Sequence, residues 1–169
     1  MPWCKLNVAR AVLVVLAVSC ESSTEIVSRL TYAGVLNGAQ EKPNATTSTA
    51  TGQASVVVNS LGSLSYSVTW TGLSGAITGA HIHGPADSNS TASVLIDFQA
   101  LPAGSAGQAI TLTAAGSASG TVNVKGSSVI TAAVSGDSLH RLLSVGLLYV
   151  NVHTAANPTG EIRAQLRKQ

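Results

Sequence analysis

From residue 30 onward the chain alternates with a period of two, and this limits its fold more tightly than any other feature. The clearest stretch is Leu64-Ser65-Tyr66-Ser67-Val68-Thr69-Trp70-Thr71. Successive side chains of a strand point to opposite faces, so Leu64, Tyr66, Val68 and Trp70 share one face and Ser and Thr occupy the other. One apolar and one polar face define a half-buried antiparallel strand. Asn59-Ser60-Leu61-Gly62, after an apolar stretch at 54–58, predicts a hairpin leading into it. Further strands are expected at 30–36, 79–83, 93–98, 118–124, 129–134, 147–152 and 160–166. Gly84-Pro85, Pro102-Ala103-Gly104, Lys125-Gly126 and Asn157-Pro158 separate them. Residues 102–109 read as a small, polar, mobile loop. Only 137–144 read as helix, with Asp137 as its cap. About eight to ten short strands without a long helix predict an all-β sandwich or Greek-key barrel.

The length of 169 residues predicts one domain. Charged residues make up only 9%, against about a quarter in average domains. Ser, Thr, Gly and Ala fill the gap, while enough Val, Leu and Ile remain to exclude a disordered chain. The net charge of +2 arises at the start of the chain. Nine basic residues less Lys5 and Arg10 leave seven, against seven acidic ones. The body is thus formally neutral and has no basic stripe, which excludes a nucleic-acid partner.

Residues 1–20 read as a signal peptide. Lys5 and Arg10 supply positive charge, and 11–18 is an apolar run too short to span a bilayer. Ala17-Val18-Ser19 then suits signal peptidase cleavage after Ser19. The same site resembles a bacterial lipobox, with Cys20 as the lipid-bearing N-terminus and Ala17 where Leu is usual. Plain secretion and an uncleaved anchor are the alternatives. The expected location is therefore outside the cytoplasm, in the periplasm or at the cell surface, held by a lipid on Cys20 rather than by a spanning helix. Residues 21–29 read as a polar tether, and 30–169 as the folded domain. The only cysteines are Cys4 and Cys20, so the body has neither a disulfide nor a thiol catalyst.

Two stretches could carry chemistry: Gly79-Ala80-His81-Ile82-His83-Gly84-Pro85-Ala86, and Tyr149-Val150-Asn151-Val152-His153-Thr154 with Asn157-Pro158-Thr159-Gly160-Glu161-Ile162-Arg163. In a strand His81 and His83 point the same way, roughly 7 Å apart, with Ile82 on the other side. In the second stretch Val150 and Val152 take the core side, while Tyr149, Asn151 and His153 share the opposite face. Two imidazoles at i and i+2, joined by a third from a nearby strand, form a three-nitrogen set. Such a set suits Zn²⁺ or Cu²⁺ and leaves a position open. The alternative is that these histidines pin the loops at 84–87 and 157–161. His140, beside Arg141, reads as solvated. Asp97 reads as solvent-facing rather than as an acid catalyst. Glu161 and Arg163 alternate with Ile162 and Ala164 and are expected together on a polar face, ion-paired with neighbouring strands. No paired carboxylates, serine elbow, phosphate loop or Cys cluster occurs, so an enzyme reading lacks a complete catalytic set.

These stretches carry a resemblance to the chordin (CHRD) domain family. Leu36-Asn37-Gly38-Ala39-Gln40-Glu41-Lys42-Pro43 is similar to its opening Leu-x-Gly-x-x-Glu-x-Pro segment. Thr51-Gly52-Gln53-Ala54, the strand ending at Trp70, Gly79 to Ala86, and Tyr149 to Gln165 follow in family order. The resemblance covers about 30–166. It implies an immunoglobulin-like Greek-key β-sandwich with a limited likeness to copper-zinc superoxide dismutases. That likeness maps His81 and His83 onto the first copper-ligand pair and His153 onto the late copper ligand. The dismutase's copper–zinc bridging loop and disulfide have no counterpart here, so dismutase chemistry does not carry over. Two functions compete. One is a non-catalytic exported binding or scaffold module, with an extracellular protein or polysaccharide partner. The other is a metal-binding or redox protein using Cu or Zn on three histidines.

Overall fold

The computed structural model describes residues 27–125, 129–131 and 134–169. The expected signal peptide, Cys20, the tether up to residue 26, and Gly126 of the expected turn lie outside them. In chain order the strands are β1 (Arg29–Asn37), β2 (Thr51–Asn59), β3 (Ser63–Thr71), β4 (Ile77–His83), β5 (Val94–Asp97), β6 (Ala106–Ile110), β7 (Gly116–Asn123), β8 (Val129–Thr131) and β9 (Val134–Ser135). After α1 (Gly136–Ser144), the one α-helix among the described residues, come β10 (Tyr149–Thr154), β11 (Ile162–Gln165) and β12 (Arg167–Lys168). A single 3-10 turn at Gly38–Gln40 follows β1.

Every pairing is antiparallel, and one sheet runs β5-β4-β10-β11-β1-β2-β3-β7-β6, with β12 added beside β1. The sheet curls until its ends meet. Tyr66 of β3 stacks on Phe98 just after β5, with ring centroids 4.1 Å apart. The Gln108 side chain of β6 donates to the Phe98 carbonyl at 2.7 Å. The result is an all-β sandwich whose aliphatic core fills the space between the two wings.

The alternation in β3 is realised residue by residue. Leu64, Tyr66, Val68 and Trp70 are buried, and Ser65, Ser67, Thr69 and Thr71 are exposed. Each buried Val or Leu contributes roughly 1.5–3 kcal/mol, so a one-residue slip that turned this face to water is strongly disfavoured. The hairpin before β3 closes on Asn59, whose side chain accepts hydrogen bonds from the Leu61 and Ser63 amides. Gly62 completes the turn at φ +81°, a left-handed conformation that favours glycine.

Three local expectations change. Residues 106–110 form β6, an edge strand on β7, inside the segment expected to be a loop. The single strand expected at 129–134 is instead the short pair β8–β9. The helix cap is Ser135, whose hydroxyl accepts from the Ser138 amide, and Asp137 sits in the first turn. An acid there favours the helix dipole without acting as the cap.

Candidate metal centre

The centre is built on β4 and β10, neighbours deep in the sheet. Their register sets His83 opposite Tyr149, His81 opposite Asn151, and His153 opposite Gly79. Ile82, Val150 and Val152 project into the core and are fully buried. By alternation, the three histidines emerge together on the other face. Their rings are packed in mutual contact, with centroids 4.9 Å apart for His81 and His153, 5.3 Å for His81 and His83, and 5.8 Å for His83 and His153. One nitrogen from each ring forms a set whose members all lie within 4.8 Å of one another. Gly79 makes room for this, since a Cβ there would lie 2.6 Å from Cε1 of His81.

The remaining ring nitrogens fix the orientation. Nδ1 of His83 is 3.0 Å from the Ala92 carbonyl, and Nδ1 of His153 is 3.1 Å from the Pro158 carbonyl. A carbonyl only accepts, so both Nδ1 atoms carry the proton and both Nε2 atoms present a lone pair. Nε2 of His81 lies 3.8 Å from a carboxylate oxygen of Asp97. That leaves Nε2 of His83, Nε2 of His153 and Nδ1 of His81. All three are buried and lack a hydrogen-bond partner among the described residues. Buried polar atoms are normally satisfied, so one unpartnered nitrogen on each of three clustered rings fits a ligand set. A ring whose second nitrogen is held by a carbonyl or carboxylate is also the usual arrangement around a metal.

Burial lowers the pKa of all three imidazoles, that of His83 to about 4. The rings are therefore neutral near pH 7, the protonation state in which imidazole ligates metal.

A second layer backs the histidines. The Tyr149 ring stacks on His83, and its hydroxyl accepts from the Ala92 amide at 3.1 Å. Arg163 donates to the carbonyls of Asp87 and Ser90 and to the Gln165 side chain. It thereby holds the loop that carries Ala92. Asn151 donates to Glu41 at 3.0 Å, in a buried pair between β10 and the 3-10 turn.

Of the residues singled out in the sequence, His81, His83 and His153 come together. Asp97 is partly exposed, and it joins them through His81. His140 lies apart on α1, half-buried with Nε2 enclosed, rather than solvated. Glu161 and Arg163 are fully buried rather than on a polar surface. They do not pair with each other. Glu161 accepts from Ser48, Ser74 and Thr154. The outward face of β11 is covered by loops, which alternation alone does not reveal. Sequence reasoning gave no role to Glu41, Tyr149 or Asn151. Glu41 lay in the opening Leu36–Pro43 segment, and alternation had placed Tyr149 and Asn151 on the same face as His153.

The CHRD domain model matches residues 32–166, a span that includes all three histidines, Glu41, Tyr149 and Arg163. The chain belongs to the CHRD domain family. No curated protein and no solved structure matches it. The CHRD match runs from within β1 to the end of β11, so the family's domain and the curled sheet coincide. No helix among the described residues of this CHRD protein is long and apolar enough to cross a membrane.

Proposed function

We propose that this CHRD domain is an exported metal-binding module that holds one Cu or Zn ion through His81, His83 and His153. One observation carries the reading: His81, His83 and His153 each bring one ring nitrogen into a set no wider than 4.8 Å, each ring has a buried nitrogen without a hydrogen-bond partner, and the second nitrogens of His83 and His153 bond to backbone carbonyls. A bound ion would supply Lewis acidity or, for copper, one-electron chemistry at an open position. The chain's own residues do the rest. The Ala92 and Pro158 carbonyls set the ring tautomers. Tyr149 and Arg163 stiffen the wall behind His83. The surrounding buried faces keep the rings neutral.

The localisation belongs to the same proposal. The leader at 1–20 and the Cys20 site support export and a lipid anchor, with the tether leading into β1.

The test is a melting series with Cu²⁺, Zn²⁺ and chelator on the untagged mature chain and on His81→Ala, His83→Ala, His153→Ala and His140→Ala. A ligand that binds only the folded state at a hundredfold excess over Kd adds about 2.7 kcal/mol of stability. The parent and His140→Ala gain it, and the other three lose most of it. Equal melting temperatures of the parent with metal and with chelator would overturn the reading.

A further inference from the structure

We infer that the end of the sandwich where the tether enters is a docking surface for an anionic phospholipid bilayer. Arg29 opens β1 there and pairs with Asn59 at the end of β2. The Ser60 amide of the β2–β3 turn donates to the Ser28 carbonyl at 3.0 Å. That turn lifts Leu61 into solvent, 53% exposed. A Cβ on Gly62 of the same turn would lie 2.4 Å from Cα of Lys125, so Lys125 sits directly beside it. Round the corner, α1 lies along the start of β1. Leu30, Val58, His140 and Arg141 line one hollow between them. Leu30 is 43% exposed, and Val145 at the end of α1 is 57% exposed. The neighbouring Gly146 carbonyl accepts from Arg167, and β12 sets Arg167 and Lys168 against Ala33 and Tyr32 of β1.

This end therefore combines three exposed apolar side chains with Arg29, Lys125, Arg141, Arg167 and Lys168, all exposed. The acids are elsewhere. Among the described residues Glu41 and Glu161 are buried, and Asp87 and Asp97 belong to the loop and strand beside the histidines. Only Asp137, one turn before Arg141 on α1, accompanies the basic group, with Glu21 and Glu25 in the tether itself. Apolar tips within a basic rim match a bilayer surface, where cations meet anionic headgroups and short apolar side chains enter the interface.

Chain length selects this occupant over others. Eight residues separate Cys20 from Arg29, and the connection reaches about 30 Å at full extension. A lipid on Cys20 thus holds this end within that distance of the membrane. This step rests on the Cys20 reading. The composition of the patch does not.

The experiment uses the mature chain from Cys20 with Cys20→Ser, so that no lipid is attached. It is sedimented with vesicles of phosphatidylcholine alone and of phosphatidylcholine with phosphatidylglycerol. Binding to the anionic vesicles should be at least about tenfold stronger, and should be lost when salt shortens the screening length from about 10 Å at 0.1 M towards 3 Å at 1 M. The triple substitution Arg29→Ser, Arg141→Ser and Lys168→Ser should lower it about tenfold while leaving the melting temperature and the metal response unchanged. Leu61→Ser with Val145→Ser is a second variant, which touches no charge and should also weaken binding. Equal binding to both vesicles overturns the inference. So does a triple variant that binds like its parent, a dimer dissolved by the same substitutions, or an acidic polysaccharide bound as tightly as the vesicles. Mass spectrometry of the native N-terminus tests lipidation separately. An unmodified Cys20 with vesicle binding intact rejects the anchor and supports the patch.

Discussion

The guanidinium carbon of Arg163 lies 3.6 Å from the centre of the Tyr149 ring, and the same ring stacks on His83 with the planes 6° apart. Two groups this close cannot share one face of a ring, so Tyr149 is layered between them. Arg163 also satisfies the carbonyls of Asp87 and Ser90. Arg163→Leu removes a buried guanidinium and the donors that tie this loop down, and is expected to destabilise the domain by about 1–3 kcal/mol. Arg163→Lys recovers only part of this, because an ammonium lacks the planar fork that serves several acceptors at once. Urea denaturation of the three proteins checks it. Equal midpoints for parent and Arg163→Leu would contradict the role given to this residue.

Metal affinity should be insensitive to pH where ordinary histidines are sensitive. Burial lowers the pKa of His81, His83 and His153, which favours the neutral, ligating form. Above the lowered values there is no proton for a metal to displace. Three ordinary imidazoles with pKa near 6.5 would lose roughly thirtyfold in affinity between pH 7 and pH 6. This site should lose clearly less than that over the same interval, measured by competition titration with a chelator of known pH dependence. A thirtyfold loss would mean that the rings are not buried as described.

Glu41 predicts a stability that falls as pH rises. Burial raises its carboxyl to about 7, against the hydrogen bond from Asn151 and the charge of Arg163. The folded pKa exceeds the unfolded one, so the favourable contribution is complete below about 4.5 and is lost as pH rises through about 7. Glu41→Gln keeps an acceptor for Asn151 and removes the ionisation. It should match the parent at pH 4 and exceed it at pH 8 by about 1–3 kcal/mol. Thermal unfolding at the two pH values decides the sign.

Glu161 behaves oppositely. Burial raises its pKa, but the hydrogen bonds from Ser74, Thr154 and Ser48 outweigh that and hold it at about 2. The folded pKa lies below the unfolded one, so its contribution is present above about 4.5 and lost as pH falls through about 2. Glu161→Ala strands three side-chain donors and should destabilise by about 3 kcal/mol at pH 7. The gap to the parent should narrow at pH 2. An undiminished gap there would show that the charge contributes nothing.

Strand β3 was readable because its alternation contrasts Leu, Tyr, Val and Trp with Ser and Thr. Strand β6 was not. Ala106-Gly107-Gln108-Ala109 offers no such contrast, and the segment is held by backbone pairing to β7, which leaves no trace in side-chain pattern. The same limit applies to the site. Alternation placed His81, His83 and His153 on one side of β4 and β10. It also put Glu161 and Arg163 opposite Ile162, as observed, but it cannot report that loops cover that side. The ring-orienting carbonyls of Ala92 and Pro158, and Asp97 beside His81, come from other segments and are set only by tertiary folding.

Strand β1 is flanked on one side by β2 and on the other by β11 and β12, through Asn37↔Arg163 and Tyr32↔Lys168. The first strand of the domain is thus completed by its last seven or so described residues. Until these leave the ribosome, one edge of β1 has no neighbour and the curl cannot close. Non-local closure of this kind is slow. At about 5–20 residues per second, the stretch from β1 to β12 alone takes on the order of ten seconds or more to synthesise. A fold whose first strand waits for β11 and β12 stays open at that edge until both have been made.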